Sequence, residues 1–76
     1  MNLDEKRNEE VLEEKETKIL RLCHEKPLGF DEIVAITKKN GSEVAEIIAN
    51  LKEKGLIKES EGKIIPTRDG DFYISN

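Results

Sequence analysis

The sequence predicts a small α+β domain: a core of three helices followed by a β-hairpin, with an extended N-terminal helix before them. Apolar residues recur at helical spacing as far as Leu51, and the strong breakers Pro27 and Asn40-Gly41 interrupt them. After Gly55 two short apolar runs flank a glycine-containing turn, which is typical of a hairpin. A chain of 76 residues is long enough for one modest core.

The first helix is predicted to run from Met1 to about Lys26. Carboxylates crowd its front and cations follow, which complements the helix dipole. Apolar residues are sparse at first and dense from Ile19 to Cys23. We therefore predict an N-terminal helical extension over residues 1–16 and a domain over residues 17–76. The extension is too short for sustained heptads, so pairing with a second copy and a solvated helix end both stay open.

Two further helices follow. The second is predicted from Phe30 to about Lys39, with Gly29 as its N-cap and four apolar residues buried: Phe30, Ile33, Val34 and Ile36. The third, helix 42–54, is predicted to begin at a Ser42 N-cap and to end at Gly55, which suits the left-handed residue after a helix. Its buried stripe consists of Val44, Ile47, Ile48 and Leu51.

The remaining chain is predicted to form short strands and turns. Residues 56–59 and 63–65 are the two strands, and Ser60-Glu61-Gly62 is the turn between them. Pro66 limits further ladder pairing. Residues 67–70 are predicted as a turn. Residues 71–74 are predicted as a last strand or helical turn that packs its aromatic residues on the core.

The segments LKEKGLIKE (51–59) and IIPTRDG (64–70) carry a resemblance to a known family. With the helices before them, they resemble the winged helix-turn-helix superfamily, in particular the compact ArsR- and MarR-like regulators. The resemblance covers roughly residues 17–70. It implies a winged-helix fold and a DNA-binding module of a transcriptional regulator that acts as a homodimer, with the N-terminal helix as the expected dimer contact. Helix 42–54 would enter the major groove of double-stranded DNA, and the wing, residues 57–66, would contact the backbone.

Carried over onto this sequence, the resemblance and the nearby cations give a set of candidate DNA-binding residues: Lys38, Lys39, Ser42, Glu43, Glu46, Asn50, Lys52, Lys58, Lys63 and Arg68. The sequence departs from DNA-binding members at Glu43 and Glu46, which would repel phosphate. A glutamate can nevertheless accept a hydrogen bond from cytosine N4. The lysines are either phosphate contacts or ordinary surface residues of a chain rich in Lys and Glu.

The charge of the chain supports an alternative function. The net charge is −4 and the isoelectric point is about 5.0, which argues against nonspecific polyanion binding by the whole surface. The alternative is a winged helix that binds a protein partner and no DNA, since this fold serves several functions.

No catalytic or metal-binding constellation is visible, so we expect no enzyme activity, no cofactor and no metal. Cys23 and His24 are the only residues of their types and, as helix neighbours, point about 100° apart. Cys23 is predicted to be a buried free thiol in a reducing compartment. No apolar run has the length of a membrane span, and we expect a cytoplasmic protein with no membrane partner.

Overall fold

The structure, a computed structural model, describes residues 12–75. In this range the chain forms four helices and one antiparallel hairpin. In chain order they are α1 (Glu14–Glu25), α2 (Phe30–Thr37), α3 (Gly41–Glu53), β1 (Ile57–Ser60), β2 (Lys63–Pro66) and α4 (Arg68–Ser75). The predicted α+β class and the order of three helices followed by a hairpin are confirmed.

The core lies between α1 and α3. All four apolar residues of the predicted α3 stripe are buried, from Val44 to Leu51. They belong to one cluster that also contains residues of α1, α2, both strands and the connecting segments: Leu12, Ile19, Leu20, Cys23, Leu28, Ile33, Leu56, Ile57 and Ile64. Tyr73 and Ile74 of α4 are partly buried and pack against this cluster. Burying an aliphatic side chain contributes about 1.5–3 kcal/mol, so this cluster is the main source of stability.

Helix α1 begins at Glu14, and the prediction of one continuous helix from Met1 is wrong at this point. Glu13 has extended backbone angles, φ −70° and ψ 160°. The preceding Leu12 is buried in the core, and its N–H donates to the Tyr73 hydroxyl at 3.3 Å. These contacts turn the chain away from the helix axis. The rest of the predicted extension, residues 1–11, lies outside the described residues, and its division from the domain stays a prediction.

The connection between α2 and α3 differs from the prediction at both ends. Helix α2 ends at Thr37 because Lys38 adopts a left-handed conformation with φ 61°. The N-cap of α3 is Asn40 and not Ser42, since the Asn40 side-chain oxygen accepts a hydrogen bond from the Glu43 N–H at 2.8 Å. Gly41 therefore becomes the first residue of the helix. The predicted Gly29 N-cap of α2 is confirmed.

Two residues of α2 that were predicted to be buried are largely exposed. Phe30 is 39% exposed and Ile36 is 50% exposed. Only Ile33 of this helix is fully buried, while Val34 packs at the edge of the core. An eight-residue helix contacts the core along a narrow stripe, so its flanking apolar residues stay at the surface.

The hairpin pairs Ile57 with Pro66 and Ser60 with Lys63. Glu61 and Gly62 form its two-residue turn, both with positive φ, as a tight hairpin turn requires. The strands predicted at 56–59 and 63–65 are confirmed, with the first shifted by one residue and the second extended to Pro66. Ser60, predicted as part of the turn, is the last residue of β1. Leu28 adds a bridge to the edge of β2, since its N–H donates to the Ile64 carbonyl at 3.3 Å and its carbonyl accepts from the Ile64 N–H at 2.6 Å.

The turn predicted over residues 67–70 is wrong, because α4 begins at Arg68. The Thr67 hydroxyl accepts from the Gly70 N–H at 3.1 Å and donates to the Gly55 carbonyl at 2.6 Å. Thr67 thus caps α4 and ties it to the end of α3. Of the two aromatic residues predicted to pack on the core, Tyr73 does so, whereas Phe72 is 69% exposed.

Gly70 is buried where α4 crosses the backbone of Leu56, and a β-carbon at this position would overlap the Leu56 carbonyl oxygen. We expect Gly70→Ala to reduce the free energy of unfolding by about 1–3 kcal/mol, because backbone has to move to admit the methyl group. Urea unfolding followed by circular dichroism measures this.

Gly41→Ala is the matched control. Gly41 is also a helical glycine, but an added β-carbon would meet only the Phe30 ring at 3.8 Å, an ordinary contact. That variant should be neutral or slightly more stable, since alanine favours helix. Equal effects of the two substitutions would contradict the close approach at Gly70.

Candidate nucleic-acid interface

The outward stripe of α3 lies opposite the buried one. Since successive helical residues are rotated by about 100°, the residues farthest from Ile47 and Leu51 form a row along the outer surface. We call this row the outer stripe of α3; its members are Ser42, Glu46, Ala49 and Glu53, and all are exposed. It is the surface that a winged helix would present to the major groove.

The hairpin borders one side of the outer stripe. A groove of about 270 Å³ lies between them, lined by Phe30, Ala45, Ile48, Ala49, Lys52, Glu59 and Ile64. The Lys52 Nζ atom donates to a Glu59 carboxylate oxygen at 3.0 Å across this groove. Both side chains are largely exposed, so the pair contributes at most about 1 kcal/mol. It links the hairpin to α3, and the residues of the outer stripe stay exposed.

The other side of α3 is fastened to α1 by a buried carboxylate. Glu16 is 4% exposed, and its Oε1 atom accepts from Lys54 Nζ at 3.1 Å and from the Glu13 N–H at 3.2 Å. Burial acts to raise the pKa of Glu16, but these hydrogen bonds, the charge of Lys54 and a hydrogen bond from Asn50 outweigh it and lower the pKa. Glu16 is therefore ionised near neutral pH and holds the last turn of α3.

Three of the predicted phosphate-binding lysines already have carboxylate partners. Besides the Lys52–Glu59 pair, Lys39 lies 3.6 Å from Glu43, and Lys63 lies 3.7 Å from Glu32. The Gly29 N–H and the charge of Lys63 lower the pKa of Glu32. The other three cations, Lys38, Lys58 and Arg68, are exposed and form no salt bridge with any residue from 12 to 75.

The ten predicted contact residues come from several elements and differ in exposure. Ser42 and Glu46 lie on the outer stripe. Glu43 and Asn50 are half-buried on its flank, and Asn50 contributes to the environment of Glu16. Lys38 lies in the turn before α3, Lys58 on β1, and Arg68 at the start of α4. That these residues contact DNA stays a prediction.

Glu16 and Lys54 form a structural pair that was not predicted from the sequence. A signal was available, because Glu16 lies three, four and seven residues before Ile19, Leu20 and Cys23 and so falls on the buried stripe of α1. Glu13 and Glu14 shortly before it and Lys15 beside it are charged too, so the whole run resembles a solvated surface.

Cys23 and His24 have separate surroundings in the fold. The Cys23 thiol is free and buried, as predicted, and burial raises its pKa to about 11. His24 is partly exposed, and its Nδ1 atom lies 2.9 Å from an Asp71 carboxylate oxygen, a contact that joins α1 to α4.

The described range contains neither a metal-binding group of side chains nor a membrane-spanning helix. Among residues 12–75 no group of three or more His, Cys, Asp or Glu side chains is arranged to hold a metal ion. No helix in this range has the length and apolar character needed to cross a membrane.

The fold matches that of a known regulator. The crystal structure of MepR, described as a transcription regulator of the Staphylococcus aureus multidrug efflux pump MepA, superposes on this chain with a TM-score of 0.81 and 20% sequence identity. The match covers 95% of this chain and 58% of MepR. No protein-family model and no curated protein sequence matches the chain. At this identity the likeness concerns the fold alone, and the predicted winged-helix fold is confirmed.

The Glu16–Lys54 pair leads to a stability prediction. We expect Glu16→Gln to reduce the free energy of unfolding by about 1–2 kcal/mol at pH 7, less than for a fully buried pair because Lys54 is 34% exposed. Glu14→Gln, at an exposed position two residues earlier on the same helix, is the matched control and should change stability little.

The pH dependence follows from the lowered pKa of Glu16. The stabilisation is present above its ordinary value of 4.5 and is lost as the pH falls through the lower folded-state pKa. Wild type and Glu16→Gln should therefore converge in stability in acid, which urea titrations at pH 7 and below 4 measure. A difference that persists unchanged in acid would show that the carboxylate charge is not responsible.

Proposed function

We propose that this chain is a DNA-binding winged-helix module of a cytoplasmic transcription regulator. It acts as a homodimer on two half-sites, with α3 in the major groove and the hairpin on the DNA backbone. The observation that carries the proposal is the outer stripe of α3: it is exposed, begins at the N-terminus of the helix and is bordered by the hairpin. The likeness in fold to MepR supports the same conclusion.

The cations without carboxylate partners supply the first phosphate contacts. Lys38 precedes α3, Lys58 lies on the hairpin and Arg68 follows it. Lys39, Lys52 and Lys63 could join them by exchanging a carboxylate for a phosphate. Exposed pairs of this kind contribute at most about 1 kcal/mol each, so breaking one to bind a phosphate requires little free energy.

The acidic residues of the outer stripe favour a second candidate function, which is binding of a protein partner by the same surface. Glu46 and Glu53 are exposed, and the groove beside them has an apolar floor that includes Ile48 and Ile64. A partner with a basic rim and a small apolar side chain would fit this surface.

A titration of labelled random duplex DNA, at low and at physiological salt, tests the first function. Three phosphate contacts per protomer should give a slope of log affinity against log salt of about −3 for each protomer. Lys38→Glu and Lys58→Glu should each weaken binding and reduce the magnitude of this slope. Light scattering of the full chain measures the oligomeric state.

Arg21→Glu is the matched control. Arg21 is exposed on α1, pointing away from the core and thus from α3, and it forms no salt bridge with residues 12–75. The substitution makes the same change in net charge and should alter DNA affinity less than Lys58→Glu. Absence of binding by wild type even at low salt would reject the DNA-binding function and leave the protein-binding one. Equal losses for all three variants would indicate an effect of net charge alone.

The dimer contact stays a prediction. Leu12 and Glu16 belong to the predicted extension of residues 1–16, but they are buried within the domain itself. Ile19 and Cys23, which share the predicted apolar stripe with Leu12, are buried there too. A dimer contact made by the extension would therefore not use these buried side chains.

A further inference from the structure

We propose that Glu46 determines base specificity in the proposed DNA interface, by accepting a hydrogen bond from the N4 amino group of cytosine. This inference rests on the proposed function and adds to it the base that the module selects. It predicts a particular kind of site, one with a required cytosine in each half-site, and a particular change of preference when the residue is altered.

Glu46 has no partner among residues 12–75, unlike three other carboxylates around α3; Glu53, at the end of the helix, has none in this range either. Glu43 lies 3.6 Å from Lys39, Glu59 accepts from Lys52, and Glu16 accepts from Lys54. Glu46 is exposed and forms neither a salt bridge nor a side-chain hydrogen bond with any residue from 12 to 75. Its carboxylate oxygens are thus available to a ligand at the surface.

The position of Glu46 places it deeper in a major groove than Glu53. Recognition helices contact base edges mainly with residues near their N-terminus. Glu46 lies in the second turn of α3, whereas Glu53 is its last residue. Ser42 and Ala49, its neighbours on the outer stripe, have short side chains, so Glu46 is the longest side chain in the part of the stripe that would enter the groove.

The chemistry of the base edges selects cytosine. An ionised carboxylate only accepts hydrogen bonds, and in the major groove only the amino groups of cytosine and adenine donate. Guanine and thymine present acceptors at the corresponding positions, which repel a carboxylate. Adenine places its N7 acceptor beside the amino group, whereas cytosine places no acceptor there, so cytosine is the favourable partner.

The same carboxylate opposes nonspecific binding. Without a cytosine donor, Glu46 would face the phosphates and bases unpaired, and it would offset part of the attraction supplied by the proposed phosphate contacts Lys38, Lys58 and Arg68. A correct site replaces this repulsion with a charge-assisted hydrogen bond. The module should therefore bind random DNA weakly and discriminate strongly between sites.

The test is a selection from a random duplex pool with the full-length protein, followed by affinity measurements on the selected duplex with each of the four bases at the preferred position. Wild type should prefer cytosine by about tenfold, within the usual cost of one mismatched pair. Glu46→Gln should lose this preference and favour adenine, whose N6 and N7 atoms match a glutamine amide. Circular dichroism should show that Glu46→Gln is folded, since residue 46 is exposed.

Glu53→Gln is the control, because it removes the same charge from the same stripe at the other end of the helix. It should retain the cytosine preference. Survival of that preference in Glu46→Gln, or its loss in Glu53→Gln, overturns the assignment of Glu46. Binding by wild type without any cytosine preference overturns it too, while the DNA-binding function stands. Only the absence of all duplex binding by wild type would overturn both.

Discussion

The packing of the apolar stripe of α3 against α1 is the contact on which the rest of this molecule depends. Val44, Ile47 and Leu51 are almost fully buried against Ile19 and Leu20. Because side-chain direction changes by about 100° per residue, this packing also fixes which residues of α3 point outward. A helix that buried a different stripe would present another set of side chains to solvent. The rotation of α3 about its own axis therefore decides both which residues form the core and which form the outer stripe.

Contacts at both ends and both sides then hold α3 in position. The Asn40 side chain caps its first turn, and the buried Glu16 carboxylate binds Lys54 just beyond its last turn. The hairpin lies along one side, and Thr67 links the end of α3 to α4 through the Gly55 carbonyl. Rigid support of this kind matters for any recognition surface, because a surface that is already ordered loses little conformational entropy when it binds a partner.

Several of the charges around α3 and the hairpin are arranged in pairs. Lys39, Lys52 and Lys63 each face a carboxylate from a neighbouring turn or element. Such pairing lowers the positive electrostatic potential that a nucleic-acid-binding surface usually has. The chain as a whole is also negative, with a net charge of −4. On the proposed function, binding would depend less on phosphate attraction than on the fit of a few side chains to base edges, which favours discrimination over raw affinity.

The sequence by itself determined the elements whose signals are local. The apolar spacing of α3, the Gly29 cap, and the Glu61-Gly62 turn each depend on residues a few positions apart, and each was predictable. The exposed position of Glu46 followed from the same spacing. The winged-helix fold was inferred from the order of these elements together with a family resemblance.

Only the tertiary structure decided the features that depend on distant parts of the chain. Helix α4 forms where a turn was predicted because Thr67 caps it and Gly70 allows it to cross Leu56. Leu12 leaves the helix axis because it joins a core formed by residues of α1, α2, α3 and the hairpin. Likewise, local spacing cannot distinguish a buried carboxylate from a solvated one, or a free lysine from one paired across the fold, since each depends on residues brought together only by folding.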